Sequence, residues 1–154
     1  MIEQKQMTDN STQNLSQSLQ AMTPKSLDDI IRMHRDFAQL RLTNDEEILS
    51  LNKEVMPATP KDIVDDWNLI TLVKPGSVLV FLIGEIRHKG TSRMTSDVTS
   101  LDLDRGFLKT KSGSLYQLGK QNAGPPNQSE LYLVCSTFHK WGFGDALGVP
   151  NFFY

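Results

Sequence analysis

The stretch Leu69-Ile-Thr-Leu-Val-Lys-Pro-Gly-Ser-Val-Leu-Val-Phe-Leu-Ile-Gly-Glu-Ile86 decides the fold class. Two apolar, β-branched runs, Leu69 to Val73 and Val78 to Ile86, flank Lys74-Pro75-Gly76-Ser77. Pro followed by Gly at the two central positions is the chemistry of a type II turn, because Pro presets a negative φ and Gly accepts a positive one. The pair therefore reads as two antiparallel strands. Downstream, Arg87-His88-Lys89-Gly90 forms the next turn, and three shorter strand-like segments follow at Thr95 to Leu103, Phe107 to Thr110 and Ser114 to Leu118. They are separated by Asp104-Arg105-Gly106 and Lys111-Ser112-Gly113, each placing Gly where a tight turn requires positive φ. Gln121 to Gln128 encloses Gly124-Pro125-Pro126 and reads as a loop. Leu131 to Phe138 is apolar and aromatic, and reads as a last, buried strand.

Upstream of Leu69 the pattern is helical. Ser26 with Asp29 has capping-box spacing, and Leu27, Ile30, Ile31, His34, Phe37 and Ala38 follow on one helical stripe. Thr43-Asn44-Asp45-Glu46-Glu47 offers two capping boxes, Thr43/Glu46 and Asn44/Glu47, for a second helix ending at Pro57. Thr59-Pro60 predicts a short third helix through Trp67. The expected class is α+β: N-terminal helices followed by an antiparallel β-meander that can close into a small SH3-like, partly open barrel. Residues 1–22 are rich in Gln, Asn, Ser and Thr and read as a disordered polar tail. Residues 23–67 form the helical segment and 68–154 the β domain with an aromatic C-terminal tail, with 23–154 expected to fold as one unit.

At 154 residues the chain is long enough for a core without staples, and its single cysteine, Cys135, excludes an intramolecular disulfide. The N-terminus lacks the apolar core of a signal peptide, and the longest apolar run is too short to span a bilayer. A soluble, cytoplasmic protein is expected. The net charge of −2 conceals an asymmetry: residues 1–73 carry 12 acids and 7 bases, whereas residues 74–120 carry 4 acids and 8 bases.

No catalytic pattern stands out. On a strand, Cys135 would share a face with Leu131, Leu133 and Thr137 as a buried thiol, and His139 would lie too far along the chain to pair with it. His34, His88 and His139 lack metal-ligand spacing, and no metal or other cofactor is expected. Gly142-Phe-Gly144-Asp-Ala-Leu-Gly148 has the wrong spacing for a dinucleotide loop and runs into Val149-Pro150. Asp28/Asp29, Asp65/Asp66 and Asp102/Asp104 read as cap, solvated-face and turn carboxylates.

Two surfaces remain. The aromatic residues Trp141, Phe143, Phe152, Phe153 and Tyr154, set among glycines, are interface anchors for a protein partner. Arg87, Lys89, Arg93, Arg105, Lys109 and Lys111 with Tyr116 are the alternative, a basic rim with one stacking ring for nucleic acid. The segments Thr95-Ser-Asp-Val-Thr-Ser-Leu-Asp102 and Thr110-Lys-Ser-Gly-Ser-Leu-Tyr-Gln-Leu-Gly119 resemble a pattern in small uncharacterised bacterial proteins, some of mobile-element origin. That resemblance implies a bacterial β-meander and carries no activity or functional residue. The function expected is a non-enzymatic protein-binding accessory, inhibitor or immunity-type module; the alternative is a small-barrel protein associated with nucleic acid.

Overall fold

The computed structural model describes residues 21–151. Residues 1–20 of the expected 1–22 tail and the aromatic residues Phe152, Phe153 and Tyr154 lie outside the described residues. Six strands, β1 (Gln39–Leu42), β2 (Asp62–Lys74), β3 (Ser77–Ile86), β4 (Thr91–Asp102), β5 (Phe107–Thr110) and β6 (Leu115–Leu118), make one sheet in the order β1 to β6. Consecutive strands are antiparallel, as the meander reading required. Two α-helices lie wholly within the described residues, α1 (Asp45–Leu51) and α2 (Gln128–Lys140), so the protein is mixed α+β.

The hairpin at Pro75-Gly76 forms as its residues dictate: Lys74 pairs with Ser77, and Gly76 takes φ +76°. Gly106 and Gly113 also turn with positive φ. β2 is long because it serves two partners on one edge. Its first residues, Asp62 to Val64, pair in parallel with Tyr116 to Leu118 of β6, while Ile70 to Val73 pair with β1. The ladder thus returns from β6 to β2. Between these two pairings β2 carries a bulge at Asp65/Asn68, where Asp66 adopts φ +48°.

Each face of the sheet has its own core. On one, Ile70, Leu72, Phe81 and Ile83 pack against Leu131, Val134, Cys135 and Phe138 of α2 and against Leu27, Ile30, Ile31, Leu147 and Val149. On the other, Val64, Trp67, Leu69, Val80, Leu82, Leu101, Leu108 and Tyr116 pack together, with Ile48 and Leu51 of α1 laid partly over them.

Three expectations upstream and one downstream require correction. The first helix is only a 3-10 turn, Leu27–Asp29, and Ser26 makes no side-chain cap. The amides of Arg32 and Met33 bond instead to the Leu147 carbonyl, and the Arg32 and Arg35 guanidinia take carbonyls of Asp29, Ala21, Asp28 and Ile31. At His34 the backbone is left-handed, φ +60°, and its exposed ring stacks on Phe37. The helical stripe is therefore broken by contacts with a segment more than 100 residues away, which local spacing does not encode. The second helix forms, shorter than expected, on the Asn44/Glu47 box: the Asn44 side chain accepts from the Glu47 amide at 2.9 Å and the Glu47 carboxylate from the Asn44 amide at 3.0 Å. The third helix is instead the start of β2, where Asp62 to Val64 is held between β3 and β6 and Asp62 pairs with Lys89 and Arg93. Of the expected N-terminal helical segment 23–67, only α1 is a regular α-helix of more than one turn.

Leu131 to Phe138 is not a strand but the body of α2. Asn127 and Glu130 close a reciprocal capping box, and the buried residues Glu130, Leu131, Val134, Cys135 and Phe138 recur at helical spacing. No helix among the described residues is long and apolar enough to cross a membrane.

Candidate functional site

Where β2 passes from its pairing with β6 to its pairing with β1, the sheet leaves a half-open cleft of about 750 Å³. Its floor is Trp67, Asn68 and Leu69. One wall is Leu42, Thr43 and Ile48, the other is the loop from Gly119 to Pro125, and Leu103 closes one end.

The α1 wall is fixed by polar contacts to the sheet. The Thr43 amide donates to the Leu69 carbonyl at 3.0 Å, and the Thr71 hydroxyl lies 2.9 Å from that of Thr43 and 3.1 Å from the Glu47 carboxylate. Arg41 grips Glu47 through two bonds of 2.7 and 3.2 Å, which holds the Glu47 carboxyl below its ordinary pKa. Beyond α1 the chain is tied to the β4–β5 corner. The Lys53 amide reaches the Leu101 carbonyl, the Val55 amide donates to buried Asp102 at 3.0 Å, and Arg105 bonds Glu54 at 2.6 Å. These ties hold Ile48 and Leu103 at the same cleft.

The loop wall is fixed to the β2 bulge. Trp67 donates from its indole to the Gly119 carbonyl at 3.0 Å, and the Asn122 amide donates to the Trp67 carbonyl at 3.0 Å. Asn68 donates to the Gly124 carbonyl at 2.9 Å and accepts from Asn122 at 3.1 Å, while Asn122 also accepts from the Gly124 amide. Behind the loop, Asp65 takes a bidentate bond from Arg87, both contacts 2.8 Å, and a third from the Lys120 amide. The Arg87 guanidinium, above all, holds the Asp65 carboxyl down at about 2. A Cβ at Gly119 would collide with that carboxylate, so a side chain there would have to displace Asp65 from its bonds.

The mouth is apolar. Leu42 is 43% exposed and Leu103 47%, high values for leucines lining a concave site. The asparagine side chains bond mainly to each other and to the loop backbone, so they shape the cleft more than they offer bonds to a ligand.

The aromatic pair expected as interface anchors lies across the molecule, at the end of α2. Trp141 is the C-cap and packs on Phe81 with ring centroids 5.2 Å apart. Phe143 lies 4.9 Å from Phe138, and the Lys74 ammonium sits 4.9 Å above its ring. Both rings thus extend the α2 core, with Trp141 the more exposed.

The basic set is dispersed and mostly engaged. Arg87 is bound to Asp65, Lys89 and Arg93 to Asp62, and Arg105 to Glu54. Lys109 and Lys111 are exposed and form no ion pair among the described residues. Tyr116, expected to stack on a base, is buried in the second core at 3% exposure and faces away from solvent.

Because Leu131 to Phe138 is helical, Cys135 and His139 are one turn apart rather than separated along a strand. They still form no dyad. Burial pushes the Cys135 thiol up to about 12, and the His139 ring is bonded to the Val149 carbonyl at 2.8 Å and faces Asp145 at 3.5 Å. No group of three or more His, Cys, Asp or Glu side chains among the described residues could hold a metal ion.

The cleft residues Leu42, Trp67, Asn68, Leu103 and Asn122 carry no motif that marks them in the sequence. The available signal was the placement of Leu42 and Leu103 directly before turn sequences, where a solvent-facing polar residue is usual. Compared with known proteins, the chain matches no family model, no curated protein and no solved structure.

Proposed function

We propose that this protein is a non-enzymatic protein-binding module of the accessory or inhibitor type. Its scaffold is a small SH3-like, partly open barrel, read from the return of β6 to β2. The observation that carries the proposal is the cleft over Trp67, with Leu42 and Leu103 exposed at its mouth on a framework pinned by hydrogen bonds on both walls. Concave apolar surfaces on rigid supports are where partner side chains anchor. The deeply buried thiol and the engagement of most carboxylates in caps and ion pairs support a binding role over a catalytic one.

Affinity capture from a cell lysate tests the reading, with the wild-type protein and a Leu42→Ser/Leu103→Ser variant run in parallel after nuclease treatment. A protein retained by the wild type at about 0.5 M salt, where charge pairing is largely screened, and lost by the variant is the expected result. Retention that disappears with nuclease, and that the variant shares, would instead favour nucleic acid bound through Lys109 and Lys111.

A further inference from the structure

We infer that the cleft takes an extended segment of a partner protein in which one large apolar side chain is flanked by Lys or Arg; this rests on the binding role proposed above. Three features select such an occupant. The first is the half-open shape: an apolar side chain can enter against Leu42, Ile48 and Leu103 while its own backbone continues along the rim. The second is the state of the polar lining. Asn68 and Asn122 bond each other and the carbonyls of Gly124 and Pro125, and the Trp67 indole is committed to Gly119. A small polar ligand would find few unused donors there, whereas an apolar side chain needs none.

The third feature is charge. Asp45 and Glu46 open α1 between the lining residues Thr43 and Ile48, and Asp104 follows Leu103. All three are exposed and form no ion pair with the described residues. Of the neighbouring cations, Arg41 binds Glu47, and Arg105 binds Glu54 and approaches Asp102, which leaves exposed Lys53 alone against the three acids. Across the cleft, the loop wall from Gly119 to Pro125 carries a single cation, Lys120. The α1 side of the rim is therefore acidic, and complementary charge on a partner raises its encounter rate and fixes its register.

The test is selection of a displayed library of random peptides on the full-length protein. The enriched peptide is then synthesised with a fluorescent label and titrated by anisotropy. The expected consensus is Leu, Phe or Trp beside Lys or Arg. Leu42→Ser and Leu103→Ser should each weaken binding about tenfold, the scale of removing one apolar anchor. Neutralising the rim with Asp45→Asn, Glu46→Gln and Asp104→Asn together should weaken it several-fold and flatten its salt dependence. An apolar consensus without basic residues, or unchanged binding to the neutralised variant, overturns the inferred partner chemistry and leaves the cleft as a binding site. Peptides indifferent to both leucine substitutions, or no enrichment, would overturn the inference and the proposed role together.

Discussion

The two faces of the β2–β3 hairpin are covered by helices of very different commitment. α2 has thirteen residues and buries four of them, Leu131, Val134, Cys135 and Phe138, in one core with Phe81, Ile83, Ile70 and Leu72, whereas α1 has seven and buries none. Both begin with an Asn-x-x-Glu capping box, so the difference is not in how the helices start. It lies in the residues after the cap: α2 continues with an apolar stripe and α1 with acids, Ile48, Leu49 and an early stop. The α2 face is sealed, and the α1 face is left with a cleft. A fold that completes one core and leaves the other partly open has separated the surface that stabilises it from the surface available to a partner.

The largest expected effect is on the sealed face. Phe138→Ala removes a fully buried ring that contacts Phe81, Trp141 and Phe143, and should cost about 3–5 kcal/mol in denaturant unfolding. Leu49→Ala, on the α1 side and 71% exposed, should stay within about 0.5 kcal/mol of wild type. Comparable losses from the two would show that α1 is as deeply integrated as α2.

The caps sharpen the comparison at the next scale. Asn127→Ala should cost toward 2 kcal/mol, because α2 carries one whole core, and Asn44→Ala closer to 0.5 kcal/mol. Equal shifts in the urea midpoint would contradict the asymmetry.

Smaller still is the ion pair behind the loop wall. With the Asp65 carboxyl held down at about 2 by Arg87, its contribution is complete above the ordinary carboxylate range and is lost as pH falls through about 2. The stability gap between wild type and Asp65→Asn should therefore be constant above about pH 4 and narrow below it. The pair is partly exposed, so the gap itself should be modest. A gap that persists undiminished to pH 2 would assign the loss to packing against Gly119.

The smallest effect has the opposite sign. Burial, reinforced by Asp66 and Glu85, raises the Glu130 pKa, so its contribution to stability is greatest below the ordinary carboxylate range and declines as pH rises through the elevated value. Glu130→Gln retains the capping geometry and should be slightly more stable than wild type at neutral pH, with the advantage vanishing in acid. A variant less stable at every pH would mean that the charge is needed for the cap.

The legible part of this fold was the part encoded locally. Pro75-Gly76, Gly106 and Gly113 announce their turns because the chemistry of a turn resides in its own residues. The error at Leu131 to Phe138 has a physical origin: Tyr132, Val134, Thr137 and Phe138 favour strands, yet burial at helical spacing against the sheet prevailed over that preference. Asn127 and Glu130 spelled the capping box that would have identified it. Asp62 to Val64 became strand through pairing with β6, more than 50 residues on, and the 27–38 stripe lost its helix to Leu147. The cleft was illegible for the same reason, since its walls come from three separated segments and its floor from a bulge.

The most direct measurement is a calorimetric titration of one selected peptide into four proteins: wild type, Leu42→Ser/Leu103→Ser, Trp141→Ala and Phe143→Ala. If the partner surface lies on the open face, the leucine variant loses binding while remaining folded, and the two aromatic variants lose stability but keep their affinity for the peptide at temperatures where they remain folded. Full affinity in the leucine variant, with loss in folded Trp141→Ala or Phe143→Ala, would contradict the account and move the interface to the end of α2.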